Sequence, residues 1–304
     1  MTIINKEKKG DITIYTVKKN FDDAKMLTLM SKYVKPSMID IILKEDSDVY
    51  TEEGALLLKF RKNVLPKEDI DIFYENIYSF ASLITHNRGS AGGSKTKTIF
   101  ENKPTQSNIF GFFDSWTPTH KIRFGKLGIK PLEVRECRFN QDWPEKYKET
   151  IPLIQEIDHL YEKLTPEYYA KQKRKANQTP FKIDNTAFTT VTTNMNFRTA
   201  IHTDKGDDPD GFGNLAVIER GSYTGGETCF PQYGVGADLR TGDILFMDVH
   251  QPHGNLSMQM EGKDAVRLSI VCYLRTRIWE RTKGKTKKFM KKHNMTIKKI
   301  FNKL

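Results

Sequence analysis

Cysteine is scarce, with only Cys137, Cys229 and Cys272 in 304 residues. They are too few and too scattered for a disulfide framework or a zinc knuckle, and the expectation is three reduced thiols in the interior. No run of eighteen apolar residues occurs, so nothing reads as a membrane helix and no membrane partner is expected. The N-terminus Met1-Thr2-Ile3-Ile4-Asn5-Lys6-Glu7-Lys8 lacks the apolar centre of a signal peptide. An intracellular protein is therefore expected, nuclear or cytoplasmic and not secreted. Most of the chain also lacks net charge. Of 49 Lys and Arg and 38 Asp and Glu, twelve basic residues and only Glu280 fall from Arg275 onward, which leaves 37 of each sign before it. A basic segment on a neutral body is an electrostatic handle for a polyanion.

What is present suffices for a core, since 38% of the residues are hydrophobic. Residues 11–17 and 46–61 read as strands, the latter pair hinged at Glu52-Glu53-Gly54, with a helix between over about 22–34. Pro66, then Ile70, Phe73, Tyr74, Ile77, Phe80, Ala81 and Ile84 at helical spacing predict an amphipathic helix that stops near Asn87-Arg88-Gly89. The stretch Gly89-Ser90-Ala91-Gly92-Gly93-Ser94-Lys95-Thr96 invites a phosphate-loop reading. Ser94, however, stands where glycine must precede the lysine, and a helix precedes it where a strand should, so it reads as a mobile loop near an active-site mouth. Residues 110–143 are irregular and aromatic. Phe112, Phe113, Trp116, Phe124, Phe139 and Trp143 are assigned to packing, with base stacking by one of them as the alternative. Ile151, Ile154, Ile157, Leu160, Tyr161 and Leu164 form a second helical stripe, ended by Thr165-Pro166, and a further helical segment runs through Tyr169 into the basic stretch 171–182.

From Thr186 the period changes to two, over 186–194, 197–202, 214–218, 227–230, 235–239, 243–249 and 266–274. Short strands punctuated by glycine predict a jelly roll. The fold expected is thus α+β. A helical and mixed segment over 1–185 buttresses a double-stranded β-helix core over 186–275, together one domain, with 276–304 as a basic tail.

The chemistry concentrates in that core. His202 and Asp204 lie two apart on a segment that alternates like a strand, so both side chains leave one face and can hold one metal ion. A second histidine follows about fifty residues on, just past the strand 243–249. Spacing alone leaves His250 and His253 both open. Two imidazoles and one carboxylate on one face of a metal make the facial triad of non-heme Fe(II) oxygenases. Arg267, on the last apolar strand, is an inward guanidinium that needs a buried anion. The far carboxylate of 2-oxoglutarate would serve, and an ordinary ion pair with Asp238 or Asp243 is the alternative. The acidic run Asp204, Asp207, Asp208, Asp210 lacks the order of a calcium loop and reads as a solvated loop.

The segments Asn196–Asp207, Gly213–Glu219, Tyr233-Gly234-Val235, Met247–His253 and Arg267–Arg275 resemble the TET/JBP family of 2-oxoglutarate/Fe(II) dioxygenases, most nearly the thymine dioxygenase domain of J-binding proteins. The likeness extends upstream through Asn87-Arg88-Gly89 and the helix at 151–172. It implies iron on His202, Asp204 and His253, and 2-oxoglutarate on Arg267, with O₂ as oxidant and ascorbate as a stimulant. It also implies oxidation of a pyrimidine 5-methyl group in DNA, thymine to 5-hydroxymethyluracil in a base J-type pathway. The alternatives are 5-methylcytosine oxidation, protein (prolyl or lysyl) hydroxylation, and a non-catalytic DNA-binding relative. The target base should be flipped out of the duplex. Arg198 shares strand parity with His202 and is expected to line the pocket or to form a core salt bridge. The segment after the last strand is expected to be too short for a folded J-DNA-binding domain, and the tail is expected to take over phosphate contact through Lys283, Lys285, Lys287, Lys288, Lys291 and Lys292. Ile297, Ile300, Phe301 and Leu304 at helical spacing offer the competing reading, an amphipathic helix for an anionic membrane or a partner protein.

Overall fold

The computed structural model describes residues 2–93 and 102–302. In chain order the strands are β1 (Ile3–Lys9), β2 (Ile12–Val17), β3 (Ile41–Leu43), β4 (Ser47–Thr51), β5 (Leu56–Arg61), β6 (Gln106–Phe113), β7 (Arg135–Glu136), β8 (Thr190–Met195), β9 (Gly213–Gly225), β10 (Thr228–Phe230), β11 (Val235–Ala237), β12 (Ile244–Met247), β13 (Gly254–Asn255) and β14 (Met258–Tyr273). The helices are α1 (Asp23–Leu29), α2 (Lys67–Ala81), α3 (Pro118–Lys126), α4 (Arg138–Asp142), α5 (Pro144–Leu164), α6 (Pro166–Ala176), α7 (Thr276–Thr282) and α8 (Lys287–Asn302). They divide between two units. The first comprises Met1–Asn108, Thr192–Lys205 and Phe212–Val271, and the second Ile109–Val191, Gly206–Gly211 and Cys272–Leu304.

The first unit is the jelly roll. Its larger sheet runs β1-β2-β4-β5-β12-β9-β14-β8, and a second sheet of four strands runs β13-β10-β11-β3. β2 shows why: in Ile-Thr-Ile-Tyr-Thr-Val every second residue is buried, so one face is core and the other is not. β12, between β5 and β9, is buried at every position, as a central strand covered on both faces must be. Tyr15, Val49, Leu58, Phe60, Leu215 and Leu245 of the larger sheet meet Leu43, Phe230, Val235 and Ala237 of the smaller in one apolar cluster, which is the core. α2 starts after Pro66 as the spacing predicts and buries Ile70, Phe73, Ile77, Phe80 and Ala81. It ends at Ala81 rather than near residue 87, because Thr85 turns into mutual backbone hydrogen bonds with Thr105 at 2.7 and 2.8 Å.

The second unit is largely helical. α5 and α6 start on prolines, which suit the first helical turn because its N–H groups have no partner in the helix. Asp158 of α5 ties them to the approach of β8: its carboxylate accepts from the Ala187 N–H at 2.6 Å, the Tyr169 hydroxyl at 3.1 Å and Lys173 at 3.3 Å. Phe112, Trp116, Phe124 and Phe139 are buried, so the packing reading of the aromatic stretch holds for them.

Several expectations are corrected. Residues 197–201 form no strand. Asn196 takes a left-handed φ of 49°, which breaks the ladder, and the amides beyond it bond to loops, Ala200 to the Ala91 carbonyl and Ile201 to that of Lys32, both at 2.8 Å. The acidic run is not a solvated loop throughout: Asp207 and Asp208 are buried, and Lys175 pairs with Asp208 and Asp210. Of the glycine-rich stretch, Ser90–Gly92 form a single tight turn, while positions 94–96 lie outside the described residues. The basic tail is no appendage. Ile278 of α7 and Met290 of α8 pack on Phe112, Val134 and Phe181, Arg281 donates to the carbonyls of Asp114 and Glu133, and Phe301 packs on His120 and Phe124. The two units interleave three segments each.

Gly225, ending β9, has φ 77° and sits where a Cβ would meet the Ser257 carbonyl oxygen at 2.0 Å. Backbone of this kind cannot yield as a side chain can. Gly225→Ala should therefore cost at least about 2 kcal/mol and lower the melting temperature by several degrees. A melting temperature within a degree of the parent would contradict this close approach.

Candidate metal centre

The residues the sequence singled out converge in the first unit. His202 and His253 are backbone partners, each N–H donating to the other's carbonyl at 2.9 and 3.0 Å. This pairing, and not a continuous strand, lays the two rings beside each other with centroids 4.4 Å apart. Two residues further on, the Asp204 N–H donates to the Val249 carbonyl at 3.0 Å, which turns the carboxylate towards both imidazoles. Its oxygens lie 3.7 Å from His202 Nε2 and 3.6 Å from His253 Nε2. One ligand atom from each of the three residues falls within 4.8 Å of the others, close enough to share one ion.

The outer ring nitrogens fix the tautomer. His202 Nδ1 is 2.7 Å from the Ala200 carbonyl and His253 Nδ1 is 2.9 Å from that of Gln251. A carbonyl only accepts, so Nδ1 carries the proton and each Nε2 presents a lone pair to the cluster. Burial, aided by the neighbouring His253, pushes His202 down to about 4, so it is a neutral ligand at physiological pH. Burial pulls the other way on Asp204, but the His253 hydrogen bond and the charges of both histidines outweigh it and hold the carboxyl well below its usual range. For His253 burial is likewise outweighed, here by Asp204, and its value rises. The imidazoles are 14% and 5% exposed and the carboxylate 33%, so the cluster faces solvent on its carboxylate side. Two imidazoles with Nε2 turned inward and one ionised carboxylate are the donor set of a facial triad, and these residues fit a divalent ion such as Fe(II).

Arg267 lies on β14 with Ser269 and Val271 on the same face, and Val271 packs against the core between the two sheets. Arg267 is 3% exposed, and among the described residues its Nε and Nη2 have no hydrogen-bond partner. The hydroxyl of buried Tyr223 lies beside it and, among the described residues, has no hydrogen bond of ordinary geometry. Burial lowers Arg267 from its usual value, and the Tyr223 beside it opposes that shift. The ion-pair alternative does not apply, since Asp238 is taken by Arg240 at 2.7 Å and Asp243 by Lys62 at 2.7 Å. Gly226 makes room for the arginine: with φ 80°, its Cβ would stand 3.1 Å from Arg267 Nε. A buried cation with idle donors beside an idle hydroxyl fits a carboxylate ligand.

Sequence reasoning passed over Tyr223 and Arg88. Arg88 donates from Nε to Ser107 Oγ at 2.5 Å, Ser107 donates to Asn194 at 2.5 Å, and Asn194 to Ser269 at 3.3 Å. Its charge helps hold Asp204 ionised and His202 neutral. Tyr223 is in no motif, and Arg88, though within the Asn87-Arg88-Gly89 segment of the likeness, lies 114 positions from His202, so only folding reveals their roles. His250 is outside the cluster, its amide donating to Asp248 at 3.0 Å. Arg198 is on no strand, so the parity argument lapses, and it forms no salt bridge among the described residues. It donates to the Val34 carbonyl at 2.8 Å and covers the Tyr33 ring at 4.5 Å. Lys283, Lys285, Lys287, Lys288, Lys291 and Lys292 belong to the second unit and are all exposed.

Residues 128–276 match the family Tet_JBP, the oxygenase domain of the 2OGFeDO superfamily. The bifunctional helicase and thymine dioxygenase JBP2 of Leishmania braziliensis is 35% identical over 175 residues, 57% of this chain and 15% of that protein. Thymine dioxygenase JBP1 of Trypanosoma brucei brucei is 30% identical over 190 residues, 62% of this chain and 21% of that protein. The chain thus spans about a fifth or less of the length of these curated relatives. Among solved structures, NgTET1 in complex with 5mC DNA is similar over 92% of this chain and 90% of that one, with a TM-score of 0.54 at 14% identity, a likeness of fold. The α+β architecture with its double-stranded β-helix is therefore shared, and residues 128–276 are similar to the Tet_JBP oxygenase domain of the 2OGFeDO superfamily.

Proposed function

We propose that the protein is an Fe(II)- and 2-oxoglutarate-dependent dioxygenase that hydroxylates the 5-methyl group of a pyrimidine in DNA, thymine to 5-hydroxymethyluracil. The observation that carries the reading is the His202–Asp204–His253 cluster, open to solvent on its carboxylate side, in the same unit as a buried arginine with idle donors. The thymine substrate is supported by relatives named thymine dioxygenases at 30 and 35% identity. Oxidation of 5-methylcytosine is the second reading.

His202, Asp204 and His253 would hold iron, their Nδ1 hydrogen bonds keeping each Nε2 aimed at it. Arg267, with Tyr223, would bind the far carboxylate of 2-oxoglutarate. The His253 hydrogen bond and the charges of both histidines keep the Asp204 carboxylate ionised for the metal, and the charge of Arg88 adds to them. The bound iron supplies the oxidation, in which O₂, 2-oxoglutarate and the methyl group give succinate, CO₂ and the hydroxymethyl base. A methyl group inside duplex DNA cannot reach so enclosed a cluster, so the nucleotide is flipped out.

Incubation with Fe(II), 2-oxoglutarate, ascorbate and thymine-containing DNA, followed by nucleoside mass spectrometry, should give 5-hydroxymethyluracil with matching succinate. The same assay on methylated-cytosine DNA separates the second reading, and absence of both products sinks the proposal. His253→Ala should abolish turnover and weaken Fe(II) binding by about a hundredfold or more, whereas His250→Ala should retain both, as direct metal titration would register. Arg267→Ala should weaken 2-oxoglutarate by on the order of 3 kcal/mol, about a hundredfold. Tyr223→Phe, which removes one neutral hydrogen bond, should cost about 1 kcal/mol. An unchanged affinity for 2-oxoglutarate in Arg267→Ala would refute the carboxylate assignment.

A further inference from the structure

α8 carries a face that the proposed chemistry leaves unused. It holds Lys287, Lys288, Lys291, Lys292, Lys298 and Lys299 and no acidic residue. At about 100° per residue these six fall within about 140° of arc. The opposite arc carries Met290, His293, Ile297, Ile300 and Phe301, and this is the arc seated in the second unit. Met290 packs on the cluster of Phe112, Val134, Phe181 and Ile278. His293 Nε2 lies 2.8 Å from the Val134 carbonyl, and the Phe301 ring is 4.2 Å from His120 and 5.5 Å from Phe124. Packing on one side thereby fixes the lysines on the other, and all six are exposed.

Their charge is little compensated. Among the described residues the one ion pair of the segment 276–302 is Arg281 with Glu133 at 3.0 Å, which involves none of the six. Glu136 bears on one end of the face, accepting from Asn294 at 3.0 Å and feeling the charge of Lys298. The apolar arc, which a membrane-surface helix would have to insert, is already engaged by protein, and on the lysine arc itself Met295 stands alone as an exposed large apolar side chain. From Lys287 to Lys299 the helix extends about 18 Å. One strand of duplex DNA places a phosphate about every 3.4 Å along its axis, so about five phosphates lie within that span.

We infer that the lysine face of α8 is a docking surface for the phosphate backbone of double-stranded DNA, blind to sequence. The choice of occupant rests on the function proposed above, while the charge geometry does not. The test uses the full chain without metal, so that turnover plays no part. Anisotropy of a fluorescent duplex across a salt series is compared for the parent and the fourfold variant Lys287→Gln, Lys288→Gln, Lys291→Gln, Lys292→Gln. The variant should bind at least about tenfold more weakly near ~0.15 M salt and flatten the slope of log affinity against log salt by about 3 to 4, at 0.9 per phosphate contact, whatever the duplex sequence. Should that variant melt early, the pair Lys291→Gln, Lys298→Gln is read in the same way, with a flattening of about 2. Unchanged affinity and slope overturn the inference even if turnover is found. So does parent binding to phosphatidylserine vesicles that exceeds binding to DNA and is lost in the variant. Lysine-dependent DNA binding without any oxidised base would instead overturn the enzymatic reading and leave this surface standing.

Discussion

Two hydrogen bonds hold the centre together. The reciprocal pair between the backbones of His202 and His253 joins positions 51 apart in sequence and sets their rings 4.4 Å apart. Without it neither ring has a reason to face the other, because no strand runs through residues 197–201 to carry His202 into place. The amide of Asp204, bonded to Val249 beside β12, extends the same strap by two residues. Loop backbone thus positions the ligands, and the buried strands behind it make the loop rigid.

Charge is distributed on the same principle. A carboxylate lies with two imidazoles whose Nε2 atoms turn inward, while a guanidinium is buried in the same unit with two of its nitrogens idle among the described residues. Each arrangement is unfavourable alone, since an unpaired buried charge is costly. Taken together they describe a site made for a cation and an anion, and the jelly roll supplies the stability that such a site consumes. Other buried charges are paired within the protein, Arg61 with Asp48 at 2.7 Å and Asp243 with Lys62 at 2.7 Å.

Much of this was legible in the sequence. The alternation of β2, the helical stripe of α2 after Pro66 and the two-residue spacing of His202 and Asp204 are local signals; β2 and the start of α2 formed where their patterns placed them, and His202 and Asp204 do share one cluster, though no strand carries them there. The choice of His253 over His250 needed the family likeness, because both stand just past one strand. What was illegible depends on contacts between distant residues. Residues 197–202 alternate well enough to pass for a strand, yet a left-handed Asn196 and the carbonyls of Ala91 and Lys32 claim them. Asp207 and Asp208 look solvated until Lys175 is found beside Asp208. The basic tail looked free because its lysines are conspicuous, whereas the residues that dock it, Ile278, Met290 and Phe301, are sparse and far from their partners in sequence.

The account stands or falls on whether the metal and the carboxylate ligand meet in one site. Calorimetric titration of 2-oxoglutarate into the Mn(II)-loaded protein under anaerobic conditions, and into the same protein stripped of metal, measures their coupling directly. The account predicts one site per chain and binding at least about tenfold tighter with metal present, a coupling of about 1.4 kcal/mol or more. Equal affinity with and without metal would mean that Arg267 and the His202–Asp204–His253 cluster serve separate ligands, and would contradict it.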